Sequence, residues 1–518
     1  MVTDPATLNP KQPAGLPRLL RALLADSACY DHPVGKLELI ETHISWVVLT
    51  GQFVYKIRKP VNLGFLDFST LTLRHQDCLE ELRLNRRLAA DYYLEVVAIN
   101  GSPTAPRING DGNVFEYAVK MRQFAADATL DREAERGALS AQQIDALAAR
   151  LAHFHQHECA IAADDTPWGA PERVAMPVAE NFQSLSACVG NGKEGGTLAG
   201  LQHWCEAEHA RLAPLMRQRK LQGRVRECHG DLHLANLAWV DGRLVIFDCL
   251  EFSPALRWID VISEVAFCYM DLLHRNLERL AVRFLNAWLE ATGDYQGVPL
   301  LRYYAVYRAL VRAKVAGLRA AQGCQASRTE LAECLHLAEK LSVAGAPQLW
   351  ITHGLSGSGK TTLSQRWLEQ YGLIRLRSDV ERKRLFGLDA CARGGEAIGL
   401  YSDAATRQTF AHLAWLAETL LAAGWPVIVD AAFLQRRERD QFRELAQRAG
   451  ALFRIVDIRV EADVLRERIC QRAAQGSDAS DADLRVLEHQ LATVLPLDAD
   501  EQSQVTEVGA GGELTALD

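Results

Sequence analysis

Two stretches of the sequence carry acidic, amide and hydroxyl side chains at spacings that suit chemistry on phosphate groups. The first stretch is HGDLHLAN, residues 229–236, and the apolar run LVIFD follows it at residues 244–248. Asp231 lies five residues before Asn236, and Asp248 ends the apolar run. A carboxylate such as that of Asp231 can accept the proton of an attacking hydroxyl. Asn236 and Asp248 offer the oxygen atoms that Mg²⁺ prefers as ligands.

This first stretch has two interpretations. In a catalytic loop, Asp231 would act as a general base, while His229 and His233 would brace the surrounding backbone. In the structural interpretation, the same residues form a polar turn before a hairpin. The structural interpretation leaves unexplained why Asp248 stands at the end of a strand-like run and why apolar residues frame both acids. We therefore predict a catalytic loop for phosphoryl transfer.

The second stretch, GLSGSGKTT at residues 354–362, fits the phosphate-binding pattern G-x-x-x-x-G-K-[ST]. Its glycines allow backbone N–H groups to turn toward phosphate oxygens, and the positive end of the following helix lies at the same place. Lys360 would neutralise phosphate charge, and the Thr361 hydroxyl would complete a Mg²⁺ shell. A chance glycine-rich turn is the alternative, but a strand-like run precedes the loop and a helical pattern follows it. The residues predicted to bind the nucleotide are Gly354, Ser356, Gly357, Ser358, Gly359, Lys360, Thr361 and Thr362.

Acidic and basic residues downstream of this loop complete the second set of candidates. Asp430 ends the apolar run PVIVD and suits a water-mediated Mg²⁺ contact or a place beside the acceptor. Asp379 ends LIRLRSD and can accept a hydroxyl proton, although both acids are also suited to cap helices. Arg468 and Arg472 lie four residues apart on one predicted helix face. They would carry charge to a transferring phosphoryl group as part of a lid, or else belong to a solvated helix.

The elements that must position these residues differ between the two halves of the chain. Residues 41–57 predict a hairpin with a Thr-Gly-Gln turn, residues 75–90 a helix and residues 114–124 a strand, which together form a small mixed lobe. The pattern over residues 140–343 is mostly helical. After a linker at residues 343–347, short apolar runs alternate with helical patterns, which predicts a parallel sheet flanked by helices.

The composition is typical of a globular protein, with 48% hydrophobic and 24% charged residues among 518. The formal net charge of −8 argues against a broad nucleic-acid-binding surface. The twelve cysteines are scattered without a CxxC pair, which predicts reduced thiols in the cytoplasm and neither disulfides nor a zinc site. The polar start of the chain is unlike a signal peptide, and the sequence contains no apolar run long enough to predict a membrane span.

The first stretch resembles the aminoglycoside phosphotransferase family through HGDLHLAN and the later IFDCLEF. The resemblance covers roughly residues 25–340 and implies a bilobal, protein-kinase-like fold. It also implies that Lys56, in FVYKIRKP, binds the phosphates of the nucleotide. Glu81 on the next helix would pair with Lys56, and Glu80 is the alternative partner.

Two features depart from the kinase pattern. No G-x-G-x-x-G loop precedes Lys56, and Asp248-Cys249-Leu250 stands where kinases carry DFG. Both departures are tolerated in the phosphotransferase family, but they leave the lid over the nucleotide undefined. The resemblance places the hinge against adenine at Met121–Phe124.

The second half resembles small P-loop kinases of the gluconate kinase and zeta-toxin type. Residues 344–518 contain no asparagine, which excludes an NKxD guanine-reading motif, and they contain no LSGGQ segment. The whole chain resembles bacterial bifunctional fusions of an aminoglycoside phosphotransferase-like domain and a P-loop ATP-binding domain. The predicted fold class is an α+β bilobal protein-kinase-like domain followed by an α/β P-loop NTPase domain with a parallel sheet. The predicted boundaries are 1–24 for a tail, 25–343 for the first domain, with its small lobe ending near residue 124, and 344–518 for the second.

These features predict a cytoplasmic phosphotransferase with two sites for ATP and Mg²⁺. It would transfer the γ-phosphoryl group to hydroxyls of sugar-like or aminoglycoside-like small molecules, although a fold alone does not determine the acceptor. We expect the two domains to contact each other within the chain, and we expect neither a membrane nor nucleic acid as a partner. Two alternatives remain: a regulator in which one half only senses nucleotide, and a nucleotide or RNA-end kinase that acts through the P-loop half.

Overall fold

The computed structural model describes residues 6–7, 16–64, 66–190, 192–389, 392, 399–400, 402–475, 483–508, 512 and 514. The chain divides into two compact units. The first unit comprises Met1–Ala146, His153–Asp271 and Tyr307–Ala338, and the second comprises Leu147–Ala152, Leu272–Val306 and Glu339–Asp518. Among the described residues, no helix is both long enough and apolar enough to cross a membrane.

The first unit opens with an antiparallel sheet of seven strands in the order β1-β2-β3-β4-β7-β5-β6. The strands are β1 (Ala6–Thr7), β2 (Glu38–Glu41), β3 (Ser45–Leu49), β4 (Phe53–Arg58), β5 (Tyr93–Ser102), β6 (Ala105–Ile108) and β7 (Val114–Arg122). Tyr55 and Ile57 of β4 lie in the hydrophobic core of this lobe. Because side chains alternate along a strand, Lys56 and Arg58 lie on the opposite face of the sheet.

Part of the predicted N-terminal tail, residues 1–24, is helical. The helix α1 (Arg18–Ala25) buries Leu19, Leu20 and Leu23 in the core of the small lobe. These leucines recur at helical spacing, so they form one apolar face. Burial of each leucine stabilises the fold by about 1.5–3 kcal/mol, which is enough to order a short helix that the composition alone does not reveal.

The helix α2 (Leu71–Ala89) packs against β5 and β7, and a mostly helical lobe follows the sheet. Thr70 caps α2, because its hydroxyl accepts the Leu73 N–H at 3.3 Å. The later elements are α3 (Leu130–Glu135), α4 (Ala141–His153), α5 (Pro171–Cys188), α6 (Lys193–Leu221), β8 (Val225–Glu227), β9 (Leu237–Val240), β10 (Arg243–Ile246), α7 (Pro254–Arg257), β11 (Trp258–Asp260), α8 (Val261–His274), α9 (Glu278–Thr292), α10 (Val298–Ala321) and α11 (Gln325–Ser342). The loop between β8 and β9 contains the predicted catalytic residues.

The second unit contains a parallel sheet of five strands in the order β13-β14-β12-β15-β16, as the alternating pattern predicts. Its strands and helices are β12 (Gln348–His353), α12 (Lys360–Tyr371), β13 (Ile374–Arg377), α13 (Ser378–Leu385), α14 (Asp403–Ala422), β14 (Val427–Asp430), α15 (Arg436–Arg448), β15 (Leu452–Asp457), α16 (Ala462–Gln475), α17 (Leu484–Thr493) and β16 (Val505–Glu507). Asp430 ends β14, as predicted. Asp379, in contrast, is the second residue of α13, where an acid in the first helical turn interacts favourably with the helix dipole.

The helix α9 lies in the second unit, although the predicted boundary placed it in the first domain, residues 25–343. Val282 of α9 is buried in the same cluster as Trp350, Trp367 and Leu368. The apolar face of α9 therefore packs on the layer formed by β12 and α12. The boundary was predicted from the linker at residues 343–347. A linker in the sequence does not reveal this packing, because the contact joins residues far apart in the chain.

Candidate active sites

Lys56 on β4 places its ammonium group between two carboxylates. Lys56 Nζ donates hydrogen bonds to Glu81 Oε1 at 2.8 Å and to Asp248 Oδ1 at 2.6 Å. Glu80 instead forms an ion pair with Arg83 at 2.7 Å. The partner of Lys56 on α2 is therefore Glu81, and the sheet, α2 and the segment after β10 converge at one point.

The charges at this point are strongly coupled. Burial by itself would raise the pKa of Asp248, but the adjacent Lys56 outweighs burial and the pKa lies below its usual range. Burial likewise disfavours the charged form of Lys56, but Asp248 and Glu81 raise the pKa of Lys56 above its ordinary value. Both groups are therefore ionised at neutral pH. An ammonium group in this state can neutralise a phosphate oxygen.

The loop around Asp231 is held by its own polar side chains. Asn236 Nδ2 donates to the Asp231 carbonyl oxygen at 2.9 Å and to Asp231 Oδ2 at 3.2 Å. His229 Nε2 lies 2.8 Å from the Phe247 carbonyl oxygen, and His229 Nδ1 accepts the Asp231 N–H at 3.3 Å. Burial lowers the pKa of His229, so a neutral ring with its proton on Nε2 satisfies both contacts. His233 Nε2 lies 3.4 Å from Asp231 Oδ2.

Asp248 lies in the turn after β10, two residues beyond the end of the strand. Its φ of 63° is in the left-handed region, which costs free energy for any residue with a side chain. The Asp248 N–H donates to the Tyr93 hydroxyl at 3.1 Å, and the next N–H, of Cys249, donates to Asn85 Oδ1 at 2.9 Å. The sequence did not identify Asn85, but it lies one helical turn after Glu81, and that spacing was an available signal.

Arg58 is a second cation that the sequence prediction missed. It lies two residues after Lys56 on the same face of β4, and its side chain is fully buried. Its guanidinium contacts Asp77 at 2.5 Å, Glu81 at 2.6 Å and Glu251 at 2.5 Å. Arg58 therefore joins α2 to the segment that carries Asp248. The signal was the alternation of Lys56 and Arg58 along one strand.

The side chains of this site could hold a Mg²⁺ ion through their oxygen atoms and phosphates through Lys56. Asn236 uses its amide nitrogen to contact Asp231, so its carbonyl oxygen is the atom with which it would hold a metal. The carboxylate of Asp248 would be the second protein ligand. Carboxylate and amide oxygens are hard donors, which suit Mg²⁺ better than softer metals. Lys56 would then bind the phosphates.

Three other side chains in this lobe also have metal-ligating atoms close together, namely His155, Cys228 and Glu264. His155 Nε2 lies 2.8 Å from Glu264 Oε2, and Glu264 Oε1 accepts the Gly230 N–H at 2.8 Å. These direct hydrogen bonds use both oxygens of Glu264. We assign the group a structural role, which is to support the backbone immediately before Asp231.

In the second unit, the phosphate-binding loop connects β12 to α12. Gly354, Gly357 and Gly359 have φ values of 151°, 84° and 93°, which side chains rarely adopt. A Cβ on Gly354 would lie 2.8 Å from the Ile458 carbonyl oxygen, so only glycine fits at that position. Lys360 Nζ donates to the carbonyl oxygens of Gly354 and Leu355 at 3.0 and 2.8 Å. The glycines of the loop thus adopt backbone angles that the predicted phosphate-binding pattern requires of them.

A cavity of about 1190 Å³ opens beside this loop. The predicted residues that line it are Ser356, Gly357, Gly359, Lys360, Thr361, Thr362, Asp379, Asp430 and Arg468. Asp430 is buried, and its Oδ2 accepts a hydrogen bond from the Ser364 hydroxyl at 3.2 Å. The Thr361 hydroxyl and the Asp430 carboxylate are oxygen donors of the kind that Mg²⁺ prefers. The cavity therefore brings the predicted phosphate, metal and acceptor residues together.

The arginines predicted to form a lid are placed only in part. Arg468 on α16 lies against the phosphate-binding loop, and its guanidinium Nη1 is 3.4 Å from the Gly357 carbonyl oxygen. Arg472 belongs to the same helix, but its side chain lies outside the described residues, as does the loop at 476–482. The contact of Arg468 with the loop is compatible with its predicted role.

Gln490 on α17 is a residue of this site that the sequence did not reveal. Its Oε1 accepts the Ser356 N–H of the phosphate-binding loop at 2.8 Å, across 134 residues of chain. Leu487 and Leu491 of α17 pack with Leu355, which holds the helix against the loop. No motif in the sequence predicts this contact, because it depends on where α17 packs.

Comparisons with known proteins agree with the order of the two sites along the chain. Residues 64–301 match the phosphotransferase enzyme family, and residues 349–497 match an AAA domain family. The uncharacterized protein Rv2004c of Mycobacterium tuberculosis is 31% identical over 462 residues, which cover 88% of this chain and 91% of that protein. The chain belongs to this two-domain phosphotransferase family. The uncharacterized protein Mb2027c of Mycobacterium bovis, another member, matches with the same identity and coverage.

Several solved structures resemble parts of the chain. A choline/ethanolamine kinase family protein from Mesorhizobium loti covers 62% of this chain and 93% of its own, with 12% identity and a TM-score of 0.40. A putative kinase from Chloroflexus aurantiacus covers 28% and 75%, with 27% identity and a TM-score of 0.24. A gluconokinase from Sinorhizobium meliloti covers 31% and 82%, with 23% identity and a TM-score of 0.23. The family matches confirm the predicted resemblance and fold class, and they identify the protein as a phosphotransferase of the kinase type.

Proposed function

We propose that the protein transfers the γ-phosphoryl group of ATP to hydroxyl groups of small molecules, with Mg²⁺, and that it has two nucleotide sites. The acceptors are sugar-like or aminoglycoside-like compounds. The observation that carries the proposal is the convergence of Lys56, Glu81 and Asp248 at 2.6–2.8 Å in the same unit as the Asp231 loop. An ion-paired lysine of this kind is needed to orient and neutralise a triphosphate.

In the first site, each side chain has a separate task. Bound Mg²⁺ would supply positive charge that neutralises the phosphate oxygens. Asp248 and Asn236 would hold the metal, and Lys56, kept in place by Glu81, would bind the phosphates. Asp231 orients the acceptor hydroxyl and takes its proton as the new bond to phosphorus forms. His229 fixes the backbone on both sides, through the Asp231 N–H and the Phe247 carbonyl.

In the second site, the backbone N–H groups of the phosphate-binding loop and Lys360 bind the phosphates. Thr361 and Asp430 supply oxygen atoms for Mg²⁺. Asp379, in the first turn of α13, lines the same cavity and accepts the proton of the second acceptor. Arg468, which contacts the loop, adds positive charge opposite the transferring group, and the sequence predicts the same role for Arg472.

The test is calorimetric titration of the full chain with a non-hydrolysable ATP analogue and Mg²⁺. The parent protein should show two binding events. Lys360→Ala should remove one of them or weaken it at least about tenfold, because the phosphates lose their counter-charge. Asp248→Asn should weaken the other. A parent protein with a single event that neither substitution affects would contradict the proposal.

An acceptor is then sought by incubating each variant with ATP and a set of hydroxylated small molecules. Suppose that Lys360→Ala abolishes ADP formation although its first site still binds the nucleotide. That result would favour the alternative in which the first half only senses nucleotide.

A further inference from the structure

The helix α9 lies within residues 64–301, which match the phosphotransferase family, yet it belongs to the compact unit of the P-loop sheet. In that sheet β13 is an edge strand, whose outer backbone groups need partners. Asn286 of α9 and Tyr295 supply partners at this edge. Asn286 Oδ1 accepts the Arg375 N–H at 2.7 Å, and its Nδ2 donates at 3.0 Å to the carbonyl oxygen of Leu373, the residue before β13. The Tyr295 hydroxyl donates to the Arg375 carbonyl oxygen at 3.3 Å. The buried amide of Asn286 thus pairs with the first part of this edge as a further strand would.

One helical turn after Asn286, Glu290 contacts two arginines of β13. Its Oε2 accepts from Arg375 at 3.0 Å and its Oε1 accepts from Arg377 at 2.7 Å. Burial by itself would raise the pKa of Glu290, but the two arginines outweigh burial and lower it. Glu290 is therefore ionised and holds two arginine side chains of β13 against α9.

Arg375 extends this chain of contacts to the residues assigned to Mg²⁺. Its Nη1 donates to the Thr361 carbonyl oxygen at 3.2 Å and to the Ser364 hydroxyl at 3.3 Å. The Ser364 hydroxyl lies 3.2 Å from Asp430 Oδ2. The path from Glu290 through Arg375 thus ends at both Thr361 and Asp430. Arg375 is only 8% exposed, so water screens these contacts little.

We infer that Glu290 and Asn286 are positioning residues for the reaction at the phosphate-binding loop. Both lie on α9, within the residues that match the phosphotransferase family. They hold Arg375, which fixes the backbone at Thr361 and, through Ser364, the carboxylate of Asp430. The P-loop site is therefore complete only with α9 in place, and this provides a physical reason for the two families to occur in one chain. The inference rests on the proposed function of the P-loop site.

The test measures binding of a fluorescent ATP analogue to the full chain over a range of Mg²⁺ concentrations. The relevant signal is the part that Lys360→Ala removes. Glu290→Gln should raise the Mg²⁺ concentration for half-maximal binding about tenfold, the lower end of the effect that follows loss of groups supporting metal ligands. Binding without Mg²⁺ should change little, because Glu290 does not contact the phosphate-binding loop itself.

The matched control is Glu369→Gln. Glu369 on α12 accepts from Arg283 of α9 at 2.7 Å, so this pair also joins α9 to the P-loop layer, but it does not include Arg375. The control should leave the Mg²⁺ requirement unchanged. Equal shifts in both variants, or no shift in Glu290→Gln, would overturn the inference, since α9 would then contribute packing alone.

A second substitution covers the case in which Glu290→Gln does not fold, which thermal melting would show. Arg375→Lys keeps a positive charge opposite Glu290 but loses the second nitrogen that reaches Thr361. It should raise the Mg²⁺ requirement in the same way, and an unchanged requirement would overturn the inference. If Lys360→Ala binds the analogue like the parent, the proposed function of the P-loop site fails, and this inference fails with it.

Discussion

Asp231 and Asp248 are both acids of the first site, but their contacts suit different tasks. Asp248 makes a 2.6 Å ion pair with Lys56, and its backbone is held in the left-handed region. Asp231 contacts the side chains of Asn236 and His233. A carboxylate paired to Lys56 just after a strand suits a metal ligand, whereas a carboxylate held in place by a neighbouring amide can orient an acceptor hydroxyl.

Substitution of the two acids should separate these tasks. Asp231→Asn should leave binding of the ATP analogue nearly intact and slow transfer to an acceptor by roughly 10²-fold or more, the usual effect of losing a general base. Asp248→Asn should weaken binding in the presence of Mg²⁺ as well as transfer. Both quantities are measured across a Mg²⁺ titration. If Asp248→Asn binds Mg²⁺ and the analogue like the parent but melts at a much lower temperature, the loop is structural.

Gln490 Oε1 accepts the Ser356 N–H, which a phosphate oxygen would otherwise accept. A negative charge introduced at residue 490 should therefore change the affinity for nucleotide. Gln490→Glu should accept the Ser356 N–H and also repel phosphate. The Lys360-dependent affinity for ATP should therefore fall on the order of tenfold, the effect of about 1.4 kcal/mol. Gln490→Ala removes the competing acceptor and should not lower the affinity. Equal affinity losses in the two variants would show that Gln490 acts only by packing.

At the scale of elements, the cluster around Arg58 connects β4, α2 and the segment after β10. One guanidinium serves three carboxylates, those of Asp77, Glu81 and Glu251. Burial raises the pKa of Glu251 from 4.5 to about 8, and Arg58, which lowers it, does not compensate. At neutral pH the Glu251 carboxyl group, with this raised pKa, therefore favours its protonated form.

This proton makes the stability of the first unit depend on pH. A carboxyl group whose pKa is raised by folding contributes stability that is present below 4.5 and is lost as the pH rises toward about 8. Glu251→Gln keeps a hydrogen-bonding group opposite Arg58 and removes the titration. The free energy of unfolding of the variant, relative to the parent, should therefore increase with pH over this interval. Chemical denaturation at several pH values measures it, and parallel curves for the two proteins would contradict the assignment.

At the scale of the whole molecule, the second unit requires residues from outside the predicted second domain, 344–518. Val282 of α9 shares a buried cluster with Trp350 and Trp367, and Asn286 pairs with the edge of β13. A fragment that begins at residue 344 would expose this apolar cluster. It would also leave the outer edge of β13 without the hydrogen bonds from Asn286.

Two fragments should therefore differ in stability. A fragment of residues 272–518 keeps α9 and should melt cooperatively. A fragment of residues 344–518 should melt lower by roughly 5 °C or more, since it loses the burial of an apolar helix face and two buried hydrogen bonds. Differential scanning calorimetry on both fragments provides the comparison. Equal melting temperatures would show that α9 is dispensable for the P-loop sheet.

Much of the chemistry could be read from the sequence because it depends on short-range spacing. The phosphate-binding pattern has its glycines and Lys360 within nine residues, and the proposed catalytic loop has Asp231 and Asn236 five residues apart. Such motifs specify backbone conformation and donor atoms locally, so they predict a function wherever they fold. The alternation of strand and helix likewise predicts the parallel sheet of the second unit, since periodicity reports which face of each element is buried.

Other parts of the sites were decided only by tertiary packing. Glu80 and Glu81 are equivalent in the sequence, and the orientation of α2 on the sheet places Glu81 against Lys56. The contact of Gln490 with Ser356 and the support of β13 by α9 join residues about 90 to 134 positions apart. Local spacing carries no information about such pairs. They form because apolar faces bury one another in a particular register, and that register is a property of the whole fold.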